Sequence, residues 1–269
     1  MLEHQMDWVQ WATIVISSVL AGVAVLWIVG GYYHIRYYVL RAHEPETWKC
    51  QPKRFLRKGQ NLEAALLSSF NLALGGFISG NLVYAYLNGW DAPRIYTEVG
   101  EYGWIYTLVS TLGLFVVMDG SAYYVHRAFH NKWMFKKFHR FHHKYVATTP
   151  FVVVALHPVE LLCLQAASFL PIFILPFHFA SVAGVLVYAL IFNIIDHSGV
   201  RLHSSLPWQG PTMYHDDHHA HFHVNFGQHL MIWDRMHGTL RRTKRRYGVE
   251  NFGGKGVGAG GEEFFDYSK

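Results

Sequence analysis

Long stretches of this chain carry no formal charge, and uncharged segments of that length are accommodated more readily by a bilayer than by a water-soluble core. Residues 8–33 and 64–90 contain no Asp, Glu, Lys or Arg. Between Glu101 and Arg127 the one charged side chain is Asp119, and residues 151–177 hold only Glu160. Residues 178–195 hold none. Crossing the hydrocarbon layer takes about 20 apolar residues. Spans are therefore expected near 10–31, 64–88, 103–125, 152–174 and 178–195. A soluble all-α protein would show shorter, more amphipathic helices. Pro158, Pro171 and Pro176 interrupt the last two segments, so these form either two spans or a tilted, re-entrant hairpin.

The cationic residues test this division independently. Every Lys and Arg except Arg94 falls in 32–63, in 126–150 or after Ile195. In an alternating topology these segments share one side. The positive-inside rule makes that side cytosolic and puts the N-terminus outside or in the lumen. The first apolar stretch is too long, and lacks the basic leader, for a cleaved signal peptide, so it is expected to insert and stay. Cys50 and Cys163 lie too far apart in such a topology to suggest a disulfide framework or a thiolate metal site. Nothing in the pattern points to a nucleic-acid partner.

The second constraint is histidine. The chain has 19, and many are grouped. His126 and His130 are four apart. His139, His142 and His143 are spaced three and four apart, as are His215, His218 and His219. Residues at those separations share a helix face, so each group aims its imidazoles one way. Neutral imidazole ligates Fe, Zn, Cu or Ni. Eight convergent rings exceed the needs of one ion, so two metals are expected. All three groups lie at the ends of expected spans, on the cytosolic side. His197, directly after the last span, and His203 are candidates to join them. His157 reads as a packed or outer-sphere residue rather than a ligand. His221, His223, His229 and His237 read as surface or outer-sphere residues. His4, His34, His43 and His178 read as ordinary interface residues.

Carboxylates are sparse, and no Glu-x-x-His pairing of the soluble di-iron bundles occurs. A metal-bound imidazole normally donates its second N–H to an acceptor. Asp119, two turns before His126, and Asp196, Asp216, Asp217 and Asp234 are the acidic candidates for that role.

These runs, His126-Arg127-Ala128-Phe129-His130, His139-Arg140-Phe141-His142-His143 and His215-Asp216-Asp217-His218-His219, resemble the fatty acid hydroxylase and sterol desaturase superfamily. The resemblance extends from roughly Tyr96 to Arg242. Thr149-Pro150-Phe151 with Leu156-His157-Pro158-Val159-Glu160 is similar to sterol C5-desaturases (lathosterol oxidases), as are Gly100-Glu101-Tyr102-Gly103-Trp104 and Gly227-Gln228 with Trp233-Asp234-Arg235 and Gly238-Thr239. Asp196-His197-Ser198-Gly199 and His218-His219-Ala220-His221-Phe222 resemble sterol hydroxylases of the cholesterol 25-hydroxylase type, and sphingolipid C4-hydroxylases share several positions. The separation of six between His197 and His203 departs from members with a closer pair there.

The resemblance implies an all-α integral membrane bundle of four to five spans capped by a cytosolic, His-rich helical unit. Residues 1–125 would be N-terminal spans, and 126–251 the catalytic region with a membrane hairpin at about 152–195. Residues 252–269 would be a flexible Gly-rich tail. It implies two Fe ions, for which Zn could substitute, and an O2-dependent enzyme that desaturates or hydroxylates a lipid, with a sterol first in line. It also implies an external electron donor, cytochrome b5 and its reductase, and in a eukaryotic cell the endoplasmic reticulum membrane. The basic run Arg241, Arg242, Lys244, Arg245 and Arg246 would meet an acidic donor or anionic lipid head groups. Tyr102, Trp104, Tyr106, Tyr123 and Tyr124 read as an interfacial aromatic belt before a substrate lining. Two rival classes remain. A His-rich transporter would place its ligands near the bilayer midplane. A zinc hydrolase would need only three or four ligands.

Overall fold

Among the described residues of the computed structural model, four helices are long and apolar enough to cross a membrane: α1 (Trp8–Val39), α2 (Gln60–Leu87), α3 (Gly103–Phe129) and α6 (Phe179–Asp196). Residues 6–258 and 262–268 are described; His4 lies outside them. A shorter apolar helix, α5 (Pro158–Phe173), stands where the fourth span was expected. Its Pro171 tightens the last turn into a 3-10 helix over Leu170–Phe173. It nevertheless carries the chain from one end of the bundle to the other. Glu160 near its start touches His139. Just after its end, β2 (Phe177–His178) pairs in parallel with β1 (Ile95–Tyr96), in the loop between α2 and α3.

The outer faces are apolar and exposed. Val9, Ile16, Leu20, Ile28, Leu66, Ile105, Val109 and Leu112 are all more than half exposed. Such faces suit lipid, because in water they would be costly patches. The helices meet through small residues. A Cβ on Gly76 would lie 2.7 Å from the Ser18 carbonyl oxygen, and one on Gly80 would lie 2.8 Å from Val15 Cα. This one-turn spacing of glycines lets α1 and α2 approach backbone to backbone.

The segments between spans gather at the basic end. Helix α4 (132–143) follows α3 after a single break. Asn131 caps it, accepting from the Trp133 and Met134 backbone N–H groups at 3.0 Å. The chain therefore folds back under the end of α3. Helix α7 (Thr212–His221) and helix α8 (Ile232–His237) complete this cap. After α6 the chain turns sharply at Gly199, whose φ is +69°. A Cβ there would stand 2.4 Å from both the Thr148 carbonyl oxygen and the Tyr38 hydroxyl, so the turn requires glycine. The described part of the expected flexible tail is packed. Tyr267 is buried, with Asn225 and Asp217 on its hydroxyl, and Glu262 bonds Arg245. The aromatic ring and paired charge anchor it despite the glycines. Residues 259–261 and 269 of that tail lie outside the described residues.

Candidate metal centre

The C-terminal turn of α3, helix α4, the end of α6 and helix α7 converge on one buried volume. Two sets of imidazoles meet there. His126, His130, His139, His143 and His218 offer ring nitrogens all within 4.8 Å of one another, and so do His142, His197 and His219. His215 Nε2 lies 2.9 Å from His197 Nε2 and joins the second set. Neighbours in sequence therefore serve different sets: His142 and His143 part company, as do His218 and His219. Consecutive side chains on a helix point about 100° apart, so each doublet straddles the boundary between two sites.

The separations suit metal ions. An imidazole nitrogen sits about 2.0–2.1 Å from a bound first-row ion such as zinc, which puts two ligands roughly 3.0 Å apart at a right angle and about 3.4 Å apart in a tetrahedron. His143 Nε2 and His130 Nε2 are 3.2 Å apart. His197 Nε2 and His142 Nε2 are 3.4 Å apart. Several nitrogens are also buried without a hydrogen-bond partner among the described residues: His139 Nε2, His218 Nε2 and both ring nitrogens of His219. Buried polar atoms left this way are costly unless something coordinates them. The residues fit a pair of metal ions.

Backbone carbonyls fix which nitrogen is free. A carbonyl only accepts, so the ring nitrogen facing it carries the proton. His126 Nδ1 donates to the Phe226 carbonyl at 2.8 Å, His218 Nδ1 to Val224 at 2.7 Å and His197 Nδ1 to Asn193 at 2.8 Å. Each leaves Nε2 bare and aimed inward. His130 is oriented by relay. His223 Nε2 donates to the Val249 carbonyl at 2.9 Å, so its Nδ1 accepts from His130 Nδ1, 2.9 Å away. His139 differs: its Nδ1 lies 2.6 Å from Glu160 Oε1, with both side chains 1% exposed. Burial pushes these imidazoles down, His139 to about 3 and His197 to about 4. His143, His218 and His219 fall well below the usual range, through burial first and repulsion between neighbouring rings second. Neutral rings are the form that ligates metal.

All the expected ligands except His203 meet at this centre. His203 is exposed, because the Gly199 turn sends the chain away to pair Val200 with Lys49. His157 is no partner to the ligands. Its Nδ1 caps α5, accepting from the Val159 N–H at 3.2 Å, and its ring packs on Phe138 and Phe141.

The aspartates do not bond the ligand rings as expected; they hold the loop and helices that do. Asp119 accepts from the His229 N–H at 3.0 Å, the Leu230 N–H at 3.2 Å and Trp233 Nε1 at 2.8 Å. Asp234 accepts from the Phe226 N–H at 3.0 Å and the Gly227 N–H at 2.7 Å, and from the Tyr214 and Thr239 hydroxyls. The Phe226 carbonyl held in this way is the one that orients His126. Asp196 accepts from Gln209 at 3.0 Å and Asp216 from Thr148 at 3.2 Å. Asp217 pairs with Arg241 at 2.7 Å. For His126, His197 and His218 a backbone carbonyl takes the place expected of a carboxylate.

Glu160, absent from the expected site residues, lies against His139, and His223 takes the outer-sphere alternative, beside His130. Glu160 had one signal: it is the sole charge in a long apolar run. In the basic run after α8, Arg241, Arg242 and Arg245 are committed to Asp217, the Glu262 carbonyl and the Glu262 carboxylate.

A cavity of about 410 Å³ leads away from the centre between α1, α2, α3, α5 and α6. His126, His139, His142, His197 and His215 form one end, and apolar side chains such as Leu72, Phe115, Leu164 and Leu190 line its body. That volume lies within the range of sites for small organic ligands.

Comparison with known proteins agrees with this layout. The family model for fatty acid hydroxylase matches residues 111–239, which include all the gathered histidines. Lathosterol oxidase of Mus musculus is 30% identical over 61% of this chain and 54% of its own length. Delta(7)-sterol 5(6)-desaturase of Leptosphaeria maculans is 33% identical over 54% of this chain and 40% of its own. Methylsterol monooxygenase 1 of Gallus gallus is 27% identical over 77% of this chain and 67% of its own. The chain thus spans about half the length of the lathosterol oxidase it matches. No solved structure matches.

Proposed function

The chain belongs to the fatty acid hydroxylase superfamily, and we propose that it is a membrane-bound, O2-dependent oxidoreductase that desaturates a sterol in the manner of a C5-desaturase. The observation that carries this reading is the cavity, which runs from between membrane helices directly to five of the histidines. The ligands are His126, His130, His139, His143 and His218 for one iron, and His142, His197, His215 and His219 for the other. When bound, the pair of irons supplies O2 activation and removal of hydrogen from an unactivated C–H bond.

The chain's own contribution is positional and electrostatic. Carbonyls of Asn193, Val224 and Phe226 hold the protons at Nδ1 of His197, His218 and His126, so that Nε2 stays bare. The Glu160 carboxyl group lies 2.6 Å from His139 Nδ1 and holds that ring in place. The apolar cavity walls exclude water and admit the rings and tail of a lipid sideways from the bilayer. Loss of two hydrogens gives a double bond, whereas gain of one oxygen gives an alcohol. The lathosterol oxidase and sterol desaturase relatives favour the first, and the methylsterol monooxygenase relative marks hydroxylation as the second reading. Electrons come from an external carrier such as cytochrome b5, which reaches the histidine end from the cytosol. In a eukaryotic cell the membrane is that of the endoplasmic reticulum.

The test is lipid profiling by mass spectrometry of cells with and without the chain, together with iron content and O2 uptake of purified protein. A sterol product that lacks two hydrogens, formed only with wild-type protein and not with His143→Ala, is the expected result. Protein that carries no iron, or unchanged lipids, would refute the proposal.

A further inference from the structure

Along the mostly apolar body of the cavity, two amide oxygens have nothing to accept from; two further unpaired oxygens among the described residues, Asn193 Oδ1 and Glu160 Oε2, belong to residues at the histidine end, against His197 and His139. Asn71 Oδ1 and Gln165 Oε1 are buried with no hydrogen-bond partner among the described residues, and both side chains line the cavity. Their amide orientations are not free. Asn71 Nδ2 donates to the Val154 carbonyl at 2.7 Å and to the Leu156 carbonyl at 2.9 Å. Gln165 Nε2 donates to the Gly75 carbonyl at 2.9 Å and to Ser79 Oγ at 3.2 Å. Each NH2 is spent on an acceptor, so each carbonyl oxygen is the atom left for a ligand. Asn71 and Gly75 lie one turn apart on α2, and Gln165 Oε1 would stand 3.5 Å from a Cβ on Gly75. The two acceptors thus border the same stretch of α2.

From this geometry we infer that Gln165, with Asn71, is a specificity site that accepts a hydrogen bond from a hydroxyl on the lipid substrate. An acceptor pair selects a donor. An alcohol offers one, whereas an ether, an ester or a bare hydrocarbon leaves the oxygens buried and unpaired, which costs binding. The site also fixes register. Gln165 is five residues beyond Glu160 on α5, or roughly 8 Å of helix rise. The hydroxyl is therefore held away from the metals, and the C–H bond offered to them lies several bonds from the hydroxyl-bearing carbon.

The choice of a sterol as probe rests on the proposed function; the acceptor pair does not. Metal-loaded protein in lipid nanodiscs is titrated with a 3β-hydroxysterol and with the 3-O-methyl ether of the same sterol. Wild type is expected to bind the alcohol about 5–10-fold more tightly, as one buried neutral hydrogen bond implies. Gln165→Met is expected to reduce that ratio to about 2-fold or less, mainly by weakening the alcohol, with metal content unchanged. Asn71 also holds the Val154–Leu156 backbone, so Asn71→Leu risks misfolding, and Gln165→Met is the deciding variant. Equal binding of alcohol and ether by wild type, or an unchanged ratio in Gln165→Met, overturns the inference. A preserved preference in protein that never consumes O2 would instead refute the oxygenase reading and leave this site standing.

Discussion

Replacing Glu160 with Gln isolates the contribution of one carboxylate to the metal centre. The two side chains have almost the same shape, and the Gln Oε1 can still accept from His139 Nδ1. What is lost is the carboxyl group. In the native chain the contact is 2.6 Å, with neither partner more than 1% exposed, so neither water nor salt screens it. Outer-sphere changes of this kind typically weaken metal binding by about 10–100-fold, or about 1.4–2.7 kcal/mol. The loss should fall on the set containing His139 and spare the set of His142, His197, His215 and His219. Glu160→Ala should do worse, because it leaves the His139 N–H buried and unpaired, a further cost of about 1–3 kcal/mol in stability. The assay is metal content by mass spectrometry across a chelator titration in detergent. The expected result is one ion released at about 10–100-fold lower chelator concentration while the other holds. If Glu160→Gln keeps both ions within about 2-fold of wild type, the assignment of Glu160 as the orienting partner of His139 is wrong.

Alanine at His143 and at His219 should each cost one ion, since the two residues belong to different sets, whereas His203→Ala should leave metal content and activity unchanged; elemental analysis separates the three. Acid should destabilise the fold. The buried imidazoles stay neutral, with His139 pushed to about 3 and His197, His223 and His229 each to about 4, while in the unfolded chain they take up protons near 6.5. Between those values the unfolded state binds more protons, so stability rises with pH, by up to about 1.4 kcal/mol per pH unit for each titrating ring. Thermal unfolding in detergent should therefore show a melting temperature that is flat above about pH 7.5 and falls on acidification, and greater stability at pH 5 than at pH 7.5 would contradict it. Gly199→Ala meets both a positive φ and two oxygens at 2.4 Å, and should cost about 1–3 kcal/mol or more, read as a lowered melting temperature and loss of metal from the His197 set.

Much of this protein is legible in one dimension because its two strongest signals are local. Whether a stretch can face lipid depends on its own side chains, so the four long spans and the alternation of basic segments follow from charge placement. Which histidines share a face depends only on helix pitch, so three groups of three- and four-residue spacings already imply a metal cap. The doublets His142-His143 and His218-His219 even contain the two-site arrangement, since adjacent residues on a helix cannot point the same way.

What lay beyond the sequence was everything that depends on which backbone atom arrives beside which ring. His203 follows His197 closely in the chain, but the Gly199 turn carries it to the surface. Asp119 and Asp234 are close to the centre, but the loop carbonyls they brace reach the imidazoles first. Glu160 reaches His139 only because α5 starts beside α4, a contact between residues 21 positions apart. Buried polar atoms must be paired, and a pairing across the bundle is decided by how the helices pack rather than by any segment's own composition. The sequence alone therefore determined the apolar spans and the grouping of the histidines that gather in the cap. The tertiary structure decided the division into two sets, the protonated nitrogen of each oriented ring, and the bare amide oxygens of Asn71 and Gln165 along the cavity.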